Sequence, residues 1–208
     1  MNYYQLPIPV ESKIITAPQL SITYPQISWP INFHIQHKLN SEIVHEVEQL
    51  FQLVNQQGYF EIGKTNLVGG YEIKNNQRGI LSLTLSNSAM KYTMAHPVEH
   101  LTSMTSGLRT GKIYSLGELF KPNSHYEAEI SRIVKKQIED RNLPLYEEFQ
   151  GIKPNQEFYL ADKTLVIYFQ RYEIGPRPMG FPIFPIPLYE LDSIIDFDGP
   201  LGILYSDI

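Results

Sequence analysis

The chain has 208 residues, 42% of them apolar and 19% charged, with a formal net charge of −5. That is room for one domain, or for two small ones sharing a core. Its densest basic spots are Arg132, Lys135 and Lys136 on one predicted helix, too sparse for the clustered basic face that nucleic-acid binding needs. Cysteine is absent, which excludes disulfides, Cys-ligated zinc and thiol catalysis.

The opening MNYYQLPIPVESK has no basic region followed by an apolar one, so it does not read as a signal peptide. No apolar run approaches the roughly 18 residues of a membrane span. The compartment stays unknown on these grounds. The two expectations are cytoplasmic synthesis with spore deposition, or a trimmed extracellular domain.

Residues 1–17 are broken up by Pro7 and Pro9 and are expected as an extended arm. A strand follows over about 19–28, and NFHIQH also alternates like a strand. Residues 40–57 carry the clearest helix: Ile43, Val44, Val47, Leu50, Phe51 and Val54 form one apolar stripe, Asn40 or Ser41 can cap it, and Gly58 ends it.

Strands are expected at 66–74, 79–87 and 99–108, the first two joined by a turn at 75–78. In the second, Leu81, Leu83 and Leu85 alternate with Ser82, Thr84 and Ser86, predicting one buried and one wet face. Gly69-Gly70 inside the first predicts a bulge. This is the pattern of a meandering antiparallel sheet on a helix.

Residues 115–120 predict one helical turn. The next helix starts at the S-x-x-E capping box of Ser124 and Glu127, with Tyr126, Ile130, Ile133, Val134 and Ile138 as its core stripe. A short helical turn is expected at 145–149. Residues 157–174 predict a hairpin turning at Ala161, Asp162 and Lys163. GPRPMGFPIFPIP is expected to be irregular, LYELDSII to be a short helix, and DFDGPLGILYSDI to be an unpaired apolar tail.

The ordered motifs of the C-terminal half resemble a known family. They are Phe158-Tyr159-Leu160, Ile167-Tyr168-Phe169, Tyr172-Glu173-Ile174 with Pro176, Gly180, Ile186-Pro187 and Glu190-Leu191. They are similar to the C-terminal domain of the RsiV-type ectodomain family, which also occurs in PdaC-like envelope proteins. Thr23 to Ser28, Ala95-His96-Pro97, and Leu108 to Lys112 before Leu116 to Phe120 resemble its companion N-terminal domain. The resemblance spans roughly residues 19–191.

It implies an α+β fold: two helix-backed antiparallel β-sheet units in one compact domain, with extended N- and C-terminal arms. The expected divisions are 1–17 as arm, 18–112 and 113–195 as the two subdomains, and 196–208 as tail. The resemblance also implies a receptor-like module without catalytic residues, similar to ectodomains that bind lysozyme. The chain departs from the family in having no transmembrane or cytoplasmic sigma-binding part, and in Arg177 where many relatives carry an aromatic. The signalling role is therefore not expected here.

Candidate chemistry is thin. His96 and His100 are four apart, but Pro97 places them on loop and strand, and the H-E-x-x-H glutamate is missing. His34, His37 and His45 would have to converge on one ion to form a site. Carboxylates cluster at Glu147-Glu148 and at Asp192, Asp196 and Asp198, but glycosidase chemistry needs two carboxyls facing each other across a cleft, which closeness in sequence does not supply. Asp196-Phe197-Asp198-Gly199 lacks the later ligands of a calcium loop and reads as a solvated acidic turn. No G-x-S-x-G, P-loop or G-x-G-x-x-G is present. No metal, cofactor or catalytic residue is expected.

The 14 Tyr, 10 Phe and 15 Pro point instead to recognition. The expected binding loop contains Tyr172, Pro176, Arg177, Pro178, Met179, Phe181 and Phe184. It would face a protein or peptidoglycan-type ligand of the cell envelope or spore, with no nucleic acid and no membrane insertion. The alternative is a structural subunit. Its apolar arm, with Tyr3, Tyr4, Leu6, Ile8 and Val10, would add as a strand to another copy of the chain.

Overall fold

A computed structural model describes residues 7–28 and 32–206. The chain divides into two compact units, Met1–Lys112 and Ile113–Ile208.

The N-terminal unit packs one helix on a sheet. The strands are β1 (Val10–Ala17), β2 (Leu20–Ile27), β3 (Thr65–Gln77), β4 (Ile80–Lys91), β5 (Val98–Gly107) and the short β6 (Lys112–Ile113), in that spatial order. β1 and β2 form a hairpin, as do β3 and β4, and β4 pairs antiparallel with β5. β2 runs parallel to β3, so the sheet is mixed. The intervening helix α1 (Phe33–Gln56) makes that parallel pairing possible, because it carries the chain back along the sheet.

α1 starts well before the expected Asn40. Asn32 caps it, its side chain accepting from the Ile35 amide at 3.1 Å. NFHIQH is therefore helical, not a strand. Its Ile35 and Leu39 extend the buried stripe of Ile43, Val47, Leu50 and Val54 at a four-residue step, which outweighs the short alternation. Asn40 sits inside the helix and serves the sheet instead. Its carboxamide accepts from the Ile27 amide at 2.8 Å and donates to the Ile27 carbonyl at 2.9 Å.

The expected N-terminal arm is folded back. Residues 10–17 are a strand on β2, in register from Val10↔Ile27 to Ala17↔Leu20. Gly69 marks a close approach and not a bulge: a Cβ there would lie 2.9 Å from the Ile22 side chain of β2. The register shift falls between Ile73 and Asn75. The polar face of β4 is not wet. Ser82 and Thr84 are buried, and the Ser82 hydroxyl bonds Thr105 across the sheet at 2.8 Å.

The C-terminal unit builds the sheet β7 (Phe158–Ala161), β8 (Thr164–Tyr168) and β9 (Ile183–Pro187) beside helix α2 (Tyr126–Asp140). β7 and β8 are the hairpin expected at 157–174. β9 overturns the expectation of irregular chain. Leu188 donates to Lys163 O and Phe169 donates to Pro182 O. With the register of β9 on β8, antiparallel alternation turns the backbone groups of Phe184 and Ile186 toward β8, and those of Ile183, Pro185 and Pro187 away from it. Both prolines of the strand thus lack an N–H only on the outer edge, where no ladder bond is lost.

His125 precedes α2 in a left-handed conformation, with φ 52°, and gives no side-chain cap. The expected box at Ser124 and Glu127 does not form. An equivalent box closes the single turn Leu116–Leu119, where Glu118 accepts from the Ser115 amide and hydroxyl, each at 2.9 Å. Residues 145–149 are not helical. LYELDSII supplies only a tight turn at Leu188–Glu190, and the C-terminal tail holds helix α3 (Pro200–Tyr205). Its Leu201 and Leu204 are buried and Tyr205 meets Phe197 edge to face, so this tail is packed and not a free arm.

Candidate functional site

A concavity lies in the C-terminal unit, between the irregular segment after α2 and the loop after β8. Its volume is about 340 Å³, and its walls include Tyr146, Glu147, Glu148, Phe149, Lys153 and Glu173. Pro144 follows the end of α2, and the Tyr146 amide bonds the Ile174 carbonyl at 3.1 Å, which ties the segment to the loop. On its other side Ser131 of α2 accepts from the Ile152 amide at 2.9 Å. Gly151, at φ 124°, brings the backbone close to Ser131, because a Cβ there would be 3.0 Å from its hydroxyl.

The floor is aromatic. Phe149 meets buried Phe169 edge to face at 6.0 Å, and Phe169 meets buried Phe184 likewise at 5.7 Å. Gln156, also buried, donates to the Tyr168 carbonyl at 2.8 Å and fixes the end of β8. The rim is charged. Lys153 bonds Glu173 at 2.8 Å, which holds its ammonium above the usual lysine range. The same Glu173 accepts from the Gln170 amide at 2.8 Å. Lys135 reaches Glu148 at 3.1 Å, while Glu147 is exposed and Tyr146 is 58% exposed. The site therefore offers aromatic faces and carboxylate acceptors to a ligand.

The residues expected in the binding loop separate. Tyr172 is exposed at φ 64°. Pro176 caps the tight turn Arg177–Met179, which ends at Gly180 with φ 65°. Pro178 is exposed, while Arg177, Met179 and Phe181 are half-buried. Arg171 lies over the Phe181 ring at 5.3 Å. The turn packs on Gly175, where a Cβ would sit 2.1 Å from Met179 Sδ and 2.6 Å from Pro144 O. Phe184 faces inward from β9 and is fully buried, so it supports the loop from below and presents nothing to a ligand.

Of the expected assembly arm, Tyr3, Tyr4 and Leu6 lie outside the described residues. Ile8 is buried, and Val10 opens β1. His34, His37 and His45 are exposed along α1. His100 bonds Gln57 at 3.1 Å, and burial pushes its imidazole below the usual range. Among the described residues no three His, Asp or Glu side chains are grouped to hold a metal, and no helix is long and apolar enough to cross a membrane. Asp196 accepts from the Asp198 amide at 3.1 Å, a local turn bond.

Sequence reasoning missed the wall at 145–156. Its signal was present: Tyr146 and Phe149 flank Glu147-Glu148 between Pro144 and Pro154. That is aromatic and acidic composition in a stretch that the prolines keep irregular.

Residues 117–189, inside the C-terminal unit, match the family described as a protein of unknown function, DUF3298. The chain is 25% identical over 213 residues to the anti-sigma-V factor RsiV of Bacillus subtilis, covering 90% of this chain and 73% of that protein. Two solved DUF3298 structures share its fold. The one from Bacteroides fragilis has a TM-score of 0.72 at 13% identity over 96% of this chain and 98% of its own. The one from Pseudomonas aeruginosa PAO1 has a TM-score of 0.67 at 14% identity over 99% and 100%. These matches support the RsiV-type family that the motifs resemble, and its α+β fold.

Proposed function

We propose that this RsiV-like chain, with a DUF3298 domain at residues 117–189, is a non-catalytic module that binds a protein ligand of the cell envelope. The observation that carries this is the concavity beside the Pro-rich loop. Its buried aromatic floor and hydrogen-bonded rim form a rigid recess, and a recess that is already shaped loses little entropy when it is filled. Exposed Tyr146 and Tyr172 stand near it as large side chains with a polar tip, the type that serves at interfaces. Similarity to a named anti-sigma factor supports a binding role over an enzymatic one.

The unpaired Glu147 and the chain's net charge of −5 favour a basic partner surface. A lysozyme is the first probe, and soluble peptidoglycan fragments are the second. Calorimetric titration is expected to give saturable binding of lysozyme, weakened about tenfold by Tyr146→Ala, or about 1.4 kcal/mol. Glu147→Lys is expected to weaken it further and to flatten its salt dependence. Failure of the folded chain to bind lysozyme would overturn a lysozyme-type ligand. Binding of the glycan fragments alone would replace the protein ligand with a glycan.

A further inference from the structure

The two sheets treat their outer edges differently. In β9 the outward side carries Pro185 and Pro187, and its carbonyls are covered from α2: Gln137 donates to Pro185 O at 2.8 Å and Arg141 to Ile183 O at 2.9 Å. That edge is closed to further pairing.

β1 is the outer strand of the other sheet. Ser28 donates to Pro9 O at 2.9 Å. With the register of β1 on β2, this turns Pro9, Glu11, Lys13, Ile15 and Ala17 toward β2. Val10, Ser12, Ile14 and Thr16 then present their N–H and C=O groups outward. Among the described residues no hydrogen bond reaches those outward groups. Six of its eight residues are exposed, Ile14 to 61% and Ile15 to 42%.

We propose that this edge pairs antiparallel with β1 of a second copy of the chain, about a two-fold axis through Ser12. The occupant follows from charge and register. A pairing centred on Glu11 sets glutamate against glutamate, and one centred on Lys13 sets lysine against lysine; like charges directly opposite are destabilising. A pairing centred on Ile14 leaves both charged residues opposite Ala17 and Ile15. Centred on Ser12, the axis places each Glu11 against Lys13 of the other copy and each Val10 against Ile14. Glu11 and Lys13 then occupy the close, non-hydrogen-bonded positions, while Val10, Ser12 and Ile14 supply the ladder bonds. Within one chain Lys13 already bonds Glu11 at 2.9 Å, so both charges lie on one face, ready to exchange partners. The pairing makes a continuous sheet across the axis. Two edge strands alone bury less than the roughly 1,600 Å² of a standard interface, so the dimer forms with rising concentration and dissociates on dilution.

Sedimentation of the full chain over a concentration series is the test. The mass is expected to rise from monomer to dimer. Lys13→Glu sets carboxylates against each other and holds the chain monomeric. The double exchange Glu11→Lys with Lys13→Glu restores the dimer. Ile14→Pro removes an outward N–H and spares the β1–β2 ladder, so it also abolishes the dimer while circular dichroism is unchanged. Because the chain has no cysteine, Ser12→Cys gives a clean probe: it cross-links at least tenfold faster than Lys13→Cys, since only position 12 meets itself. A chain that stays monomeric at the highest attainable concentration overturns the proposal. So does a dimer indifferent to Lys13→Glu, or equal cross-linking at positions 12 and 13.

Discussion

The carboxamide of Asn76 holds both backbone polar groups of Ile8. Its Oδ1 accepts from the Ile8 amide at 3.0 Å, and its Nδ2 donates to the Ile8 carbonyl at 2.9 Å. Asn40 treats Ile27 in the same way. Each side chain takes the place of a strand partner for a residue at the end of a β-hairpin arm. Asn76→Ala leaves both groups of a buried residue without protein partners and is expected to cost about 1–3 kcal/mol. Urea denaturation measures the loss. Asn76→Asp keeps the acceptor but sets a carboxylate oxygen against the Ile8 carbonyl in place of the donor, and is expected to cost at least as much as Asn76→Ala.

Phe184 and Tyr172 were both expected to face a ligand, and the structure separates them. Phe184→Ala empties a fully buried site between Phe169 and Arg141, at a cost of about 3–5 kcal/mol. Tyr172→Ala changes an exposed side chain and is expected to stay within about 0.5 kcal/mol. Thermal unfolding of the two variants distinguishes the supporting residue from the presented one.

Gly175 is required by contact and not by its backbone angle. Gly175→Ala drives a Cβ into Met179 and the Pro144 carbonyl, and overpacking of this kind costs about 1–3 kcal/mol. Adding Met179→Ala is expected to recover only part of the loss, because the Pro144 backbone remains. Denaturant midpoints of the single and double variants give the comparison.

The edge bonds from α2 to β9 are also testable. Gln137→Ala is expected to cost about 0.5–1.5 kcal/mol. Combined with Arg141→Ala it uncovers the outer carbonyls of β9, and the measurable outcome is faster aggregation by light scattering.

Glu61 accepts charge-assisted bonds from Lys64 and Lys91, which lower its carboxyl from 4.5 to about 2. A carboxyl lowered in the folded state stabilises it fully above the unfolded value of 4.5, and that stabilisation is lost as pH falls toward 2. The stability difference between wild type and Glu61→Gln is therefore expected to be constant near neutrality and to shrink across that acid interval. Because Glu61 is solvated, added salt is expected to reduce it too.

By itself the sequence determined what is local and periodic. The stripe from Ile43 to Val54, the stripe from Ile130 to Ile138, the leucines of β4 and the hairpin around Asp162 each repeat at the spacing of their own backbone. The α+β class was legible for that reason. The tertiary structure decided which partner each element takes. A strand's period names its buried face but not its neighbour, so the parallel pairing of β2 with β3 and the return of residues 10–17 onto β2 could not be read locally. Proline content argued against β9 until the register turned the N–H positions of Pro185 and Pro187 to the outer edge, while the pleat places the Phe184 side chain on the buried face. The recess arises likewise, from a segment with no period of its own, held by single bonds to Ile174 and Ser131 at distant points of the chain.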